Sequence, residues 1–377
     1  MTNDIFQMLG NRVLSYREAL DSFDRAVIFG AGGAGQHACR YLQDNNKEVL
    51  FFCDNSKNKE GAKLDSIKIM PPEALRNNTD LVVVIASGWS RDIALQLKTL
   101  GVKRYYDFTD IVYLYQPGGI ESDIWGDHFN ASLIRESSEQ IDKVYESLAD
   151  DESKHVFSGV LKYRLTMDPS FLEISAYPQY YHPEVRPEIN DVIVDAGAWK
   201  GDVSIDFARY LKNKCKIYAF EPSVGNINDM KLEIIKASVK DAVIPVHMGV
   251  WDIEKEFRLN TQAGFDQGFY LDEHGEEAIQ LTSLNTFSIT NNIDFSLIKM
   301  DVEGAEIEAL KGASNILSTK HPRLQICVYH KSEDLWEIPL FLQQYYPKGN
   351  FYFGHHGQHL HESVLYVSSS LSAHANI

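Results

Sequence analysis

Ile298-Lys-Met-Asp-Val-Glu-Gly-Ala-Glu306 reads as a buried strand that stops at carboxylates and restarts as a helix. Upstream, Val192-Ile-Val-Asp-Ala-Gly-Ala-Trp-Lys-Gly201 uses a similar device, with glycines in place of the acids. Around these two stretches the chain alternates strands and helices. The expected strands are 192–195, 216–220, 242–246, 297–300 and 324–329, the expected helices include 203–211 and 305–317, and a hairpin over 350–367 follows. Alternation of this kind predicts a mostly parallel sheet whose ligands lie beyond the carboxyl ends of its strands. The hairpin is the expected antiparallel addition.

A second α/β unit precedes this one. Ala26-Val-Ile-Phe-Gly-Ala-Gly-Gly-Ala-Gly35 carries Gly30, Gly32 and Gly35 between a strand and a helix, and the next strand ends at Asp54. That is the context in which a GxGxxG turn binds a nucleotide, with NAD or a nucleotide sugar as the expected ligand. The unit is short for two-half dinucleotide binding, so a scaffold role in dimer contacts is an equal reading. Residues 111–190 are rich in Pro, Tyr and Asp around helices at 140–148 and 151–165, and read as a linker and lid. The expected organisation is α/β throughout: a small Rossmann-like domain over 1–110, the linker, and a second doubly wound domain over 191–377.

At 377 residues and 44% hydrophobic content the chain can fill two cores. A net charge of −17 argues against a nucleic-acid partner, which would draw on Lys and Arg. The four cysteines lack a CxxC pair and are expected to be reduced core residues. No apolar run reaches membrane-span length and the N-terminus lacks a secretory pattern, so a soluble cytoplasmic protein is expected, with a homodimer through either sheet edge compatible.

The turn at Gly197 and Gly201 lets backbone approach a ligand, and the following helix offers free N–H groups to an anionic end. Glu221, at the end of the next strand, is placed to accept ribose hydroxyls. Asp301 and Glu303 are two apart in a segment read as still extended, which would point both carboxylates to one side. Such a pair suits a general base or half of a divalent-metal site. Glu303 and Glu306 also fit helix capping. His330, at the end of the next strand, reaches the same edge as a second base or metal ligand, so a cation such as Mg²⁺ would sit among Asp301, Glu303 and His330. Tyr180, Tyr181 and Trp199 offer aromatic surface for a cofactor or sugar ring, or ordinary packing. Gly354-His-His-Gly-Gln-His-Leu-His361 is metal-like in composition, but a single turn seldom converges its ligands, so His355 and His356 are read as substrate contacts or plain rim residues ahead of metal ligands.

Asp195-Ala-Gly-Ala-x-x-Gly201, Phe220-Glu-Pro222, the 298–306 stretch and Tyr329-His330 resemble FkbM-type S-adenosylmethionine-dependent methyltransferases, over about residues 140–370. The resemblance implies a class I methyltransferase fold and methylation of sugar hydroxyls, in glycans, nucleotide-linked sugars or glycosylated natural products. It also implies that Asp195, Gly197, Gly201 and Glu221 hold the cofactor, with the Gly249–Asp252 loop near its adenine. Leu284-Asn285 departs from the family's usual Leu-Asp. Two rivals stay open at this point: a nicotinamide-dependent oxidoreductase or epimerase on the first unit, for which no well-placed Tyr-x-x-x-Lys is found, and a non-catalytic nucleotide sensor.

Overall fold

The computed structural model describes residues 1–113, 125–260, 270–271 and 277–369. Two compact units emerge: 1–146 with 151–175 and 355–361, and 147–150 with 176–354 and 362–377. The stretch read as a linker is therefore shared between them, and its residues 114–124 lie outside the described residues.

The first unit is a six-stranded sheet. Its strands are β1 (Arg25–Phe29), β2 (Glu48–Cys53), β3 (Lys63–Leu64), β4 (Ile67–Met70), β5 (Val82–Ile85) and β6 (Arg104–Asp107), in the order β3-β4-β2-β1-β5-β6. All pairings are parallel except β3 with β4. Val27, Phe29, Val83 and Ile85 pack with Ile93, Ala94 and Leu97 of the helix Ser90–Thr99 into the core. The glycine turn is sterically obligatory at Gly30, where φ is +119° and a Cβ would lie 2.2 Å from the Ala86 carbonyl oxygen.

The second unit is built on β7 (Val192–Ala196), β8 (Lys216–Phe220), β9 (Val243–Val246), β10 (Gly249–Val250), β11 (Lys255–Asn260), β12 (Tyr270–Leu271), β13 (Glu277–Thr282), β14 (Leu297–Met300), β15 (Arg323–Cys327), β16 (Asn350–His355) and β17 (Ser363–Ser368). Seven of these form one sheet in the order β16-β17-β15-β14-β7-β8-β9, parallel from β15 through β9, with β17 antiparallel to β15. This is the class I methyltransferase sheet with its terminal hairpin, as the resemblance implied. The central strands β7, β8 and β14 are buried along most of their length.

A small sheet, β10-β13-β11-β12, follows β9 and had no counterpart in the sequence reading. The helix expected over 305–317 is two, Glu306–Lys311 and Ser314–Thr319. They part at Gly312, where a Cβ would lie 2.0 Å from the Trp251 carbonyl oxygen. All four cysteines are buried and free. Among the described residues, no helix is long and apolar enough to cross a membrane.

Candidate active site

At the carboxyl edge of the second unit's sheet, a cleft of about 320 Å³ opens between the ends of β7, β8 and β14. Each wall is set by a strand end. After β7, Gly197 turns the chain at φ +75°, and a Cβ there would lie 1.7 Å from the Asp301 carbonyl oxygen, so only glycine lets this turn close on β14. The next lining residue but one, Trp199, is itself left-handed at φ +47°, and its N–H donates to Glu221 Oε2 at 3.0 Å.

Glu221, just past β8, is 5% exposed and its Oε1 accepts from the Ser223 N–H at 3.0 Å and Asn226 Nδ2 at 3.2 Å. Three donors leave acceptor capacity on a group with about four lone-pair sites. Burial pushes its carboxyl up to about 7, against the pull of these donors.

Asp195 does not line the cleft. Wholly buried, it accepts from Ser204 Oγ at 2.6 Å and lies 3.0 Å from Lys299 Nζ, its register neighbour across β7 and β14. Lys299 also donates to the Gly197 carbonyl at 3.0 Å, tying the glycine turn to the sheet. Burial opposes its charge, yet Asp195 and Asp301 outweigh burial and raise the ammonium above the usual lysine range. A lysine inside an otherwise apolar strand was the available signal for this ion pair, and the sequence reading passed over it.

Asp301 lines the cleft and accepts from the Tyr180 hydroxyl at 3.2 Å on Oδ2 and the Tyr329 hydroxyl at 3.1 Å on Oδ1. Burial presses its carboxyl up, but Lys299 and His330 prevail and hold it below the usual carboxylate range. Tyr180 is fixed in turn: its N–H donates to the Tyr366 hydroxyl, and Gln325 donates to its carbonyl at 2.8 Å.

The segment after β14 is not extended as expected. Glu303 has φ +54°, in a tight turn that places its half-exposed carboxylate at the cleft, so the shared facing of Asp301 and Glu303 comes from a left-handed turn and not from strand alternation. His330 joins both, with Nε2 at 3.4 Å from Asp301 and 3.5 Å from Glu303, while Nδ1 lies 2.9 Å from Glu306. Burial works against its charge, but these three carboxylates, Glu306 first, raise it to about 10, so it is an imidazolium at neutral pH. The donor atoms that converge best are those of Asp301, Glu306 and His330, with Glu306 in the place expected for Glu303.

Four lining residues, Tyr180, Trp199, Glu303 and Glu362, are left-handed although none is a type that tolerates it readily. Glu362, at the end of the His-rich turn, accepts from Gln179 Nε2, and both line the cleft unforeseen. Gly249, Val250 and Trp251 line it, whereas Asp252 does not. Gly201 lies behind the wall, where a Cβ would press Met230. Tyr181 donates to Asp206 at 2.6 Å and packs on Phe207 and Tyr210 away from the cleft. His355 and His356 group with the first unit, where His355 is fully buried.

In the first unit, Gly30, Gly32, Asp54, Lys59 and Trp89 line a separate cavity. Asp54 Oδ2 accepts from the Ala31 N–H and from Lys59 Nζ, both at 2.9 Å, so its carboxylate is already paired. Gly35 does not line it; a Cβ there would lie 1.9 Å from the Gly30 carbonyl oxygen.

Residues 195–362 match the family model described as the methyltransferase FkbM domain, and residues 22–106 match one described as C2185-like, N-terminal. A crystal structure of a methyltransferase FkbM from Methylobacillus flagellatus KT is similar with a TM-score of 0.72 at 20% identity, over 97% of each chain. At that identity the likeness concerns the fold. A UDP-D-quinovosamine 4-dehydrogenase from Vibrio fischeri (TM-score 0.21, 22% identity, 26% of this chain and 96% of that one) is also similar. So is a SAM-dependent O-methyltransferase from Thermotoga maritima (0.30, 12%, 51% and 67%). At such TM-scores neither carries an argument. No curated protein matches.

Proposed function

Residues 195–362 form an FkbM-type S-adenosylmethionine-dependent methyltransferase domain, preceded in the chain by a C2185-like domain, and from that premise we propose that the enzyme methylates a sugar hydroxyl. The rival readings, a nicotinamide-dependent oxidoreductase and a non-catalytic sensor, give way to the family of the second unit. The observation that carries the proposal is Asp301, an ionised carboxylate held by two tyrosine hydroxyls, lining the same cleft as the glycine turn and Glu221.

The residues present fit the cofactor. Glu221 keeps acceptor capacity for a ribose, the Gly197 turn admits backbone contact, and Val250, Trp251, Ile279 and Leu281 give an apolar wall for a purine. S-adenosylmethionine supplies, when bound, a methyl on a sulfonium open to displacement by an oxygen nucleophile. The chain's own task is to orient that oxygen and take its proton, and positioning and general-base terms of this kind account for much of such a rate.

We assign Asp301 to accept the acceptor's hydroxyl proton, Tyr180 and Tyr329 to fix its carboxylate, and Glu303, Glu362 and Gln179 to receive the remaining hydroxyls. A wall rich in oxygen acceptors suits a donor-rich polyol. His330 is assigned as a positioning cation and not as the base, since an imidazolium has no lone pair to offer. It also occupies the charge role that Mg²⁺ would fill among Asp301, Glu303 and Glu306. In the first unit, the cavity at Gly30, Gly32 and Asp54 supports a nucleotide reading.

Transfer of labelled methyl from S-adenosylmethionine to a panel of free sugars, nucleotide sugars and oligosaccharides tests the proposal. Labelled sugar ethers are expected; methylation confined to nitrogen or sulfur nucleophiles, with every sugar inert, would refute it.

A further inference from the structure

We propose that the first unit contains a transition-metal site formed by Asp110, His359 and His361. Asp110 is buried in the short helix Thr109–Tyr113, while the two histidines come from the turn after β16, which groups with the first unit. The donor atoms of all three lie within 4.8 Å of one another.

The geometry is that of a prepared ligand set. Asp110 Oδ1 lies 2.8 Å from His359 Nδ1 and 3.5 Å from His361 Nε2. Ligands about 2.0–2.2 Å from a tetrahedral ion stand roughly 3.4 Å apart, so a small opening of the first distance admits the ion. The other oxygen, Oδ2, accepts the Leu360 N–H at 3.0 Å, which fixes the carboxylate's plane from within the turn that supplies both imidazoles. Outer hydrogen bonds of this type orient metal ligands.

Asp110 is 2% exposed, whereas His359 and His361 are 23% and 24% exposed, so the set is anchored on one side and open to entering ions on the other. Two imidazoles and one carboxylate favour a divalent first-row transition ion, such as Zn²⁺, over Mg²⁺ or Ca²⁺, which prefer all-oxygen sets. A histidine-rich turn alone would not converge its donors; the buried carboxylate, distant in sequence, supplies what the turn lacks. The site shares no residue with the methyltransferase cleft.

The test is calorimetric titration of the chelator-treated full chain with Zn²⁺ and, in parallel, the visible spectrum with Co²⁺. One equivalent is expected to bind, with a tetrahedral or five-coordinate Co²⁺ spectrum. His361→Gln, at a part-exposed position, should weaken binding about a hundredfold or more, since even outer-shell losses cost 10–100-fold. Asp110→Asn should do the same where circular dichroism shows it folded, while Glu306→Gln in the other histidine–carboxylate cluster should leave binding unchanged. Absence of binding, binding that survives His361→Gln, binding retained by folded Asp110→Asn, or binding lost in Glu306→Gln that circular dichroism shows folded would each overturn the proposal.

Discussion

His330 Nδ1 sits 2.9 Å from Glu306 Oε1, and that same oxygen accepts the Val302 N–H at 2.9 Å. One buried carboxylate thus fixes both the turn after β14 and the imidazolium after β15. The histidine is raised from its ordinary 6.5 to about 10 in the folded chain. Its contribution to stability is full below 6.5 and is lost as pH rises through about 10. Urea midpoints measured across that window should fall with pH in the native protein, and His330→Asn should remove most of that slope. Parallel slopes in the two proteins would exclude the pairing.

Glu221 governs a second pH dependence. Its carboxyl is held up near 7 by burial, and ribose hydroxyls donate better to a carboxylate than to a carboxylic acid. Affinity for S-adenosylhomocysteine should therefore rise as pH increases through about 7. Glu221→Ala should weaken binding by about 1–3 kcal/mol and flatten the profile. Calorimetry at several pH values reads both effects, and an unchanged affinity in the variant would remove Glu221 from the cofactor's contacts.

Asp301→Asn keeps the shape and, on its amide oxygen, one tyrosine contact, but loses the assigned proton acceptor. Turnover should fall by about 10²–10⁴, with S-adenosylhomocysteine affinity within a few-fold of native. Single-turnover assay and calorimetry separate the two quantities; a loss of cofactor binding would instead give Asp301 a structural role.

Lys299→Met removes the cation between Asp195 and Asp301, leaving a buried charge without its partner at a cost of about 3–5 kcal/mol. Urea denaturation of the variant should show that loss, and adding Asp195→Asn should restore part of it. If the double variant is no more stable than the single, the ion pair is not the cause.

Because Lys299 and His330 already supply positive charge beside Asp301, methyl transfer should proceed equally with Mg²⁺ omitted or added. A strict Mg²⁺ requirement would return Asp301 and Glu306 to the role of metal ligands.

The glycine turn at Gly197, the acid at Glu221 and the break after Met300 were legible because strand, turn and acid follow one another locally. The mostly parallel sheet followed from alternation, and its antiparallel addition from the terminal hairpin. What stayed hidden depends on partners far apart in sequence. The turn alone makes Asp195 a cofactor-ligand candidate, and nothing local reveals its pairing with Lys299 across β7 and β14. The protonation state of His330 is set by Glu306, which sequence position assigned to a helix cap. His355 and His356 were read with the wrong neighbours, since the turn that carries them groups with the other unit. The Glu303 turn escaped because glutamate gives no signal for a left-handed backbone.

The left-handed backbone at Tyr180, Trp199, Glu303 and Glu362 costs on the order of 1 kcal/mol or more at each residue. Glycine at Glu303 or Glu362 would relieve that cost while deleting a carboxylate from the cleft. Selection for heat resistance alone would then drift towards glycine there and erase the acceptor site, whereas selection for turnover would retain residues that weaken the fold. The cleft is thus the part of this enzyme where durability and catalysis compete for the same four positions.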